Sequence, residues 1–384
     1  MQKIYLDNAA TTQVLPEVVE AILPYFTEHY GNPSSIHQPG QEAHLGLNTA
    51  RKTFARILGC THEEIYFTSG ATESTNTILR GVAHALISHG KHIITSSFEH
   101  SATLETCRDL ESQGYEVTYL QPTSEGYISK QQVQEALRKD TILVSLIYVQ
   151  NEIGTIQPVA EIGALLNEKG IFFHTDAVQA FQYLSCNVHD LHVSGLSLSG
   201  HKFHAPKGVG VMYINSNWQL PPLLTGGHQE FGMRSGTQNV ANIAGMGKAA
   251  ELAVEKQEEH KVYVQTLRDY AYERIIKFIP DAILNGEGTQ TTPHILNLSF
   301  DGVDGETLLI RLDLEGIAVS TGAACSSEKK EPSHTLTAIG RTPDQAQGSI
   351  RISFSFMNTM EEVDYLVEKL VFHVGKIRLA SLLN

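Results

Sequence analysis

Four side chains with useful chemistry each follow a run of apolar residues that is typical of a β-strand. They are Thr72, His100, Asp176 and Lys202. Ligands of open α/β sheets bind beyond the carboxyl ends of the strands, so we expect these four side chains to meet in one crevice. A lysine near apolar strands more readily exists as the neutral amine that Schiff-base formation needs. The pattern therefore predicts a site with an amine nucleophile, with Lys207 as a rival and a solvated surface lysine as the ordinary alternative.

Asp176 and the stretch 68–74 indicate what such a site would bind. A carboxylate at a strand end can hold the protonated ring nitrogen of a cofactor such as pyridoxal phosphate. A helix N-cap is the alternative role for Asp176. Small and hydroxyl residues in 68–74, among them Thr72, can expose backbone N–H groups to a phosphate at a helix N-terminus, although they also form ordinary caps. The chain has no GxGxxG or Walker sequence, which leaves a dinucleotide or a nucleoside triphosphate with little support.

One of the four cysteines stands apart from the other three. The cysteines are Cys60, Cys107, Cys186 and Cys325. They form no CxxC pair and no zinc spacing, so we expect no metal site and no disulfide framework. We expect the first three to be small buried hydrophobes. Cys325 lies among small, polar and charged residues that are typical of an exposed loop, where a thiol is available as a nucleophile and an incidental cysteine would be open to oxidation.

Arg351 is the candidate for binding a substrate carboxylate. It lies in the strand-like stretch 349–354, and a guanidinium can bind a carboxylate through two parallel hydrogen bonds. An ordinary ion pair on a surface strand is the alternative. The residue type and position alone leave both readings open.

The overall charge excludes some classes of protein. Lys and Arg number 28 against 42 Asp and Glu, a net charge of −14, and no run of basic residues exceeds two. A nucleic-acid groove needs clustered cations, so we expect no nucleic-acid partner. The longest apolar stretch, 141–149, is far shorter than the roughly 20 residues of a membrane helix, and the N-terminus lacks an apolar leader segment. We expect a cytoplasmic globular protein without a membrane contact.

The elements that must position these residues follow from the apolar periodicity. Strand-like runs at 64–68, 92–97, 141–149, 171–174, 193–198 and 208–214 alternate with helical patterns at 73–86, 131–137 and 159–169. This alternation predicts an α/β domain with a mainly parallel sheet. A single connecting helix over 241–279 is expected to lead into a smaller α+β domain with strands at 294–300 and 349–354 and a helix at 305–315. Thr359 and Glu362 form a predicted capping box before the closing helix.

Eight ordered stretches of this chain resemble the NifS/IscS-type cysteine desulfurases, enzymes of the class-V aminotransferase family. They are 5–12, 30–37, 68–74, 151–158, 174–179, 199–202, 234–237 and 322–327. The resemblance covers essentially the whole length. It implies an aspartate-aminotransferase-like fold that binds pyridoxal phosphate, with a large domain at 15–255. The smaller domain would comprise 1–14 and 256–384 and carry the catalytic cysteine loop at about 320–334.

By this resemblance, several residues surround the cofactor ring. Lys202 would form the Schiff base, Asp176 would pair with the pyridine nitrogen and Gln179 would bind the phenolic oxygen. His100 would stack on the ring and take part in proton transfer, with Asn151 beside it. The residues implied at the phosphate are Ala71, Thr72, Ser199, Gly200, His201 and, from the second subunit of a homodimer, Thr237. Those implied at the substrate carboxylate are Arg351, Asn8 and Asn151.

The implied reaction removes sulfur from L-cysteine, releases L-alanine and leaves a persulfide on Cys325. That sulfur would pass to an acceptor protein, such as an iron–sulfur scaffold or another sulfur carrier. The rival interpretations are a selenocysteine lyase, another enzyme of the same fold, and a noncatalytic binding subunit. The chain departs from the usual family pattern at Gln150, His228, Phe231, Ala323 and Phe356, which leaves the acceptor and the dimer contacts open.

Overall fold

The computed structural model describes residues 3–286, 290–321 and 332–381. The strands are β1 (Ile4–Tyr5), β2 (Ile65–Thr68), β3 (His92–Ser96), β4 (Glu116–Leu120), β5 (Thr141–Ile147), β6 (Phe172–Asp176), β7 (Gly195–Ser199), β8 (Gly210–Ile214), β9 (Ile283–Leu284), β10 (Ile295–Ser299), β11 (Ile317–Ala318) and β12 (Ser349–Ser353). The helices are α1 (Pro16–Ile22), α2 (Pro24–Thr27), α3 (Gln38–Leu58), α4 (Ala71–Ala85), α5 (Ser101–Ser112), α6 (Lys130–Ala136), α7 (Val159–Glu168), α8 (Val188–Leu191), α9 (Val240–Glu255), α10 (Gln257–Phe278), α11 (Gly305–Leu314), α12 (His334–Ala338), α13 (Pro343–Gln347) and α14 (Met360–Ser381).

A mainly parallel sheet forms the centre of the molecule and confirms the predicted α/β class. In the described ranges it has seven strands in the order β2-β8-β7-β6-β5-β3-β4, and only β8 runs antiparallel to its neighbours. The inner strands are buried along their whole length, which explains their continuous apolar runs. Strand β4 was not predicted: it lies at the sheet edge, and only its last residue is buried, so it lacks a continuous buried apolar run.

A second, smaller sheet has a core of its own. Strands β12, β10 and β9 pair antiparallel, and apolar side chains of α10, α11 and α14 pack with them in a separate cluster. Ile4 and Leu6 from the N-terminal segment join this cluster, and β1 pairs with β11. The smaller α+β unit is thus present, while the exact domain boundaries stay a prediction.

The connection between the two units differs from the single helix predicted over 241–279. It consists of α9 and α10, separated at Lys256. Helix α9 lies so close to α3 that a Cβ on Gly247 would stand 2.8 Å from Ala50, whereas α10 joins the smaller core. The break therefore lies where the chain changes packing partner. The predicted capping box is confirmed, with the Glu362 N–H donating to Thr359 Oγ1 at 3.3 Å and the Thr359 N–H donating to Glu362 at 3.2 Å.

Among residues 3–286, 290–321 and 332–381, no helix is long and apolar enough to cross a bilayer.

Candidate active site

A cavity of about 970 Å³ lies beyond the carboxyl ends of β3, β5, β6 and β7. All four side chains predicted to converge line it, namely Thr72, His100, Asp176 and Lys202. The N-terminal segment, the residues just before α12 and Arg351 close its other sides. The strand-end argument is therefore confirmed by the position of the cavity.

Lys202 projects from a 3₁₀ turn directly after β7. Its Nζ donates hydrogen bonds to the carbonyl oxygens of Ala9 at 2.7 Å and Ala10 at 2.9 Å, both on the cavity wall. The rival Lys207 also lines the cavity, but its side chain is exposed where that of Lys202 is half-buried. The half-buried amine is the better placed nucleophile.

Asp176 is the last residue of β6 and is only 5% exposed. Its Oδ1 accepts a hydrogen bond from the Val178 N–H at 3.0 Å. Residues 178–183 form turns rather than a helix, so Asp176 caps no helix. Burial raises the pKa of Asp176 above its ordinary value. A cationic group placed beside this carboxylate would stabilise its charged form.

His100 caps the N-terminus of α5 through one ring nitrogen. Its Nδ1 accepts a hydrogen bond from the Ala102 N–H at 3.1 Å, which requires the neutral ring to carry its proton on Nε2. Burial lowers the pKa of His100 and favours this neutral form. The ring therefore reaches the cavity as a neutral group able to donate from Nε2.

The start of α4 can accept an anion. No side chain caps this N-terminus, which begins at Ala71 on the cavity wall. Uncapped N–H groups and the helix dipole favour a phosphate there. Thr72, Ser199 and His201 also line the cavity, while Gly200 is buried and does not line it.

Arg351 and Asn151 form the other end of the site. Arg351, 6% exposed on β12, donates from Nη2 to Asp7 at 2.9 Å and from Nη1 to the Asn151 carbonyl at 3.0 Å. Its Nε and the Asn151 Oδ1 are buried without a hydrogen-bond partner in the described part of the chain. A donor and an acceptor thus remain for a small polar ligand. Sequence reasoning missed the Asp7 ion pair, for which a lone aspartate gives no signal.

Gln179 is fixed from behind by a histidine that sequence reasoning also missed. The buried His294 donates from Nε2 to Gln179 Oε1 at 3.1 Å, because an amide oxygen can only accept. Its Nδ1 then accepts from the Thr292 hydroxyl at 2.8 Å. Burial lowers the pKa of His294 to about 3, so the ring stays neutral. The Gln179 amide nitrogen therefore faces away from His294 and donates to the Ala9 carbonyl at 2.9 Å. The Lys202 amine donates to the same carbonyl.

Besides Gly200, two predicted site residues do not line the cavity and a third lies outside the described residues. Asn8 does not line the cavity, because its amide donates to the Ser353 carbonyl at 2.9 Å and is buried among polar groups. Thr237 is exposed on this single chain and away from the cavity. Cys325 lies outside the described residues.

Two of the three remaining cysteines are buried as predicted, whereas the third is only half-buried. Cys107 and Cys186 are buried and Cys60 is half-buried. Burial raises the pKa of each thiol to about 12, so none is a ready nucleophile. The described residues contain no cluster of three or more His, Cys, Asp or Glu that could hold a metal ion.

Known proteins of one family are similar to this chain in both sequence and fold. The family model for the class-V aminotransferases matches residues 4–366. The cysteine desulfurase IscS of Methanosarcina thermophila is 49% identical over 375 residues, 98% of this chain and 93% of that protein. A solved NifS-like protein has a TM-score of 0.92 at 38% identity, covering 97% of this chain and 100% of that one. SspA in complex with cysteine has a TM-score of 0.81 at 38% identity, covering 92% and 99%.

Proposed function

This chain belongs to the class-V aminotransferase family and is one of its cysteine desulfurases, and on that premise we propose that pyridoxal phosphate binds in the cavity around Lys202. The observation that carries the proposal is the convergence of three groups on one cavity. They are the Lys202 amine, the buried Asp176 carboxylate and the uncapped N-terminus of α4. These groups suit the aldehyde, the pyridine nitrogen and the phosphate of this cofactor in turn.

The other proposed contacts follow from the same arrangement. The phosphate would be held by Ala71, Thr72, Ser199 and His201, with Gly200 behind them and Thr237 contributed by the second subunit of a homodimer. His100 would face the ring and Gln179, held by His294, would donate to the phenolic oxygen. When bound, pyridoxal phosphate supplies an electron sink that accepts charge from the substrate Cα.

Residues of this chain would then bind cysteine and move its protons. Arg351 would hold the substrate carboxylate with its Nε and a free N–H edge, beside Asn151. Nζ of Lys202 would take the Cα proton. His100, neutral and protonated on Nε2, would donate a hydrogen bond to the substrate sulfur.

The sulfur itself would go to Cys325. The thiolate of Cys325 attacks the substrate sulfur, a new S–S bond forms, and the bond between sulfur and the substrate Cβ breaks. The electron pair of the broken bond stays with Cβ. The substrate then regains protons and leaves as alanine. The persulfide on Cys325 would serve an acceptor protein, for which an iron–sulfur scaffold is the candidate suggested by the IscS relatives.

The experiment that tests this function measures the products. Purified protein is incubated with L-cysteine, and alanine, pyruvate and sulfide are quantified with and without a thiol reductant. The proposal expects alanine without a keto acid, with sulfide released only when the reductant is present. Pyruvate as the main product, or a purified protein with no visible cofactor absorbance that pyridoxal phosphate fails to restore, would contradict it.

A further inference from the structure

Three consecutive residues that follow Pro332, the first described residue after Cys325, form hydrogen bonds to the large unit through their side chains. Ser333 and Thr335 donate to the two carboxylate oxygens of Glu152, at 2.5 and 2.9 Å. Between them, His334 hydrogen-bonds through Nε2 to the carbonyl of Glu99 at 3.0 Å. Ser333, Thr335 and Glu152 are at most 4% exposed, so water does not compete with these bonds. We call residues 333–335 the anchor.

The direction of each hydrogen bond makes Glu152 the acceptor that the anchor depends on. Ser333 Oγ already accepts from the Leu336 N–H at 3.2 Å, so its proton is available for Glu152. Thr335 Oγ1 likewise accepts from the Gln150 amide at 2.9 Å and must give its proton to Glu152. Both carboxylate oxygens therefore act as acceptors, which a carboxylate does and an amide cannot.

The same turn also holds the substrate end of the site. The residue before Glu152 is Asn151, whose carbonyl accepts from Arg351 at 3.0 Å. The Glu152 carbonyl in turn accepts from Asn297 Nδ2 on β10 at 3.0 Å. Two adjacent residues of one turn, Asn151 and Glu152, thus contact Arg351 and the anchor.

We propose that Glu152 is a positioning residue for sulfur transfer: it fixes the chain at residues 333–335 relative to the Arg351 that binds the substrate. Pro332, the first described residue after Cys325, directly precedes the anchor, so the anchor fixes the described residue at which the chain resumes after Cys325. Because Asn151 contacts Arg351 and the adjacent Glu152 binds the anchor, the proposed substrate-binding arginine and Pro332 are positioned by neighbouring residues. This inference rests on the proposed function, because it assumes that Cys325 accepts the sulfur.

Substitution of Glu152 should slow sulfur transfer without weakening substrate binding. Glu152→Gln removes one of the two acceptors but leaves the backbone contacts to Arg351 and Asn297 in place. A misplaced reacting group costs rate more than binding, so we expect transfer to Cys325 to fall about tenfold or more. Cysteine binding should change less than about twofold, since the Arg351 and Lys202 contacts are retained. Ser333→Ala and Thr335→Val each remove one donor and should give smaller losses in the same step.

The test uses the full-length, cofactor-loaded protein. Cysteine binding is followed by the change in cofactor absorbance, and sulfur transfer by the mass of the Cys325 peptide in a single turnover. Glu168→Gln, an exposed substitution on α7, is the matched control and should behave as wild type. Thermal unfolding identifies a variant that fails to fold, in which case the Ser333 and Thr335 variants decide.

Each outcome bears on one of the two claims. Slower transfer with retained cysteine binding supports the role of Glu152. Transfer by folded Glu152→Gln within about twofold of wild type, or a loss of cysteine binding as large as the loss of transfer, overturns it. Wild-type protein that releases alanine but never carries sulfur on Cys325 overturns the proposed nucleophile and this inference with it.

Discussion

Replacing Arg351 should separate recognition of the substrate carboxylate from the rest of the reaction. Arg351 is 6% exposed, and two of its nitrogens are already bonded to Asp7 and to the Asn151 carbonyl, while Nε is buried in the cavity wall without a described partner. A carboxylate bound there would accept two charge-assisted hydrogen bonds, each worth about 1.5–3 kcal/mol. Arg351→Ala removes both, about 3–6 kcal/mol, which corresponds to roughly a 10²- to 10⁴-fold lower kcat/KM.

The assay compares cysteine with cysteamine, which lacks the carboxylate. The binding of both compounds and the kcat/KM for cysteine are measured for wild type, Arg351→Ala, Arg351→Lys and the surface control Arg138→Ala. Wild type and the control should prefer cysteine strongly, Arg351→Ala should bind both about equally, and Arg351→Lys should fall between because lysine cannot form the bidentate contact. An Arg351→Ala protein that loses less than about tenfold in kcat/KM for cysteine, or keeps the full preference, refutes the proposed carboxylate site.

Three further results follow from buried charges. Glu230→Ala should lower the free energy of unfolding in urea by about 3–5 kcal/mol, because it leaves the buried Arg51 without its ion-pair partner; a loss below about 1 kcal/mol would contradict this. Burial raises the pKa of Glu99 from 4.5 to about 8. Between these two pH values Glu99 ionises only in the unfolded chain, so the free energy of unfolding should fall as the pH rises, by up to about 1.4 kcal/mol per pH unit. Urea unfolding of Glu99→Gln should show a weaker pH dependence of this free energy, and an unchanged pH dependence would count against the raised pKa. Asp176→Asn should retain the fold but reduce alanine formation about 100-fold, and activity within about threefold of wild type would remove Asp176 from the cofactor site.

The large sheet and the cavity were predictable because they depend on short-range signals. Buried parallel strands give continuous apolar runs, and the residue types that follow them, such as Asp176 and Lys202, are set by the chemistry at the strand ends. The Thr359 and Glu362 capping box is equally local and was confirmed at both hydrogen bonds.

Contacts between distant parts of the chain could not be predicted in this way. The Asp7–Arg351 ion pair joins residues 344 positions apart, and the bonds from Ser333 and Thr335 to Glu152 span more than 180 positions. Nothing in the local pattern distinguishes Glu152 or His294 from other polar residues. The break between α9 and α10 was missed for a similar reason, since it depends on which core each helix packs against.

The most direct test of the central claim is the mass of the Cys325 peptide after incubation with L-cysteine. The cofactor-loaded protein is denatured in acid without reductant, alkylated, digested and compared with a sample that received L-alanine. We predict one added sulfur atom on the peptide containing Cys325, removable by a thiol reductant, and none on the peptides of Cys60, Cys107 and Cys186. Alanine release with sulfur absent from Cys325, or undiminished release by Cys325→Ser without an acceptor, would contradict the account.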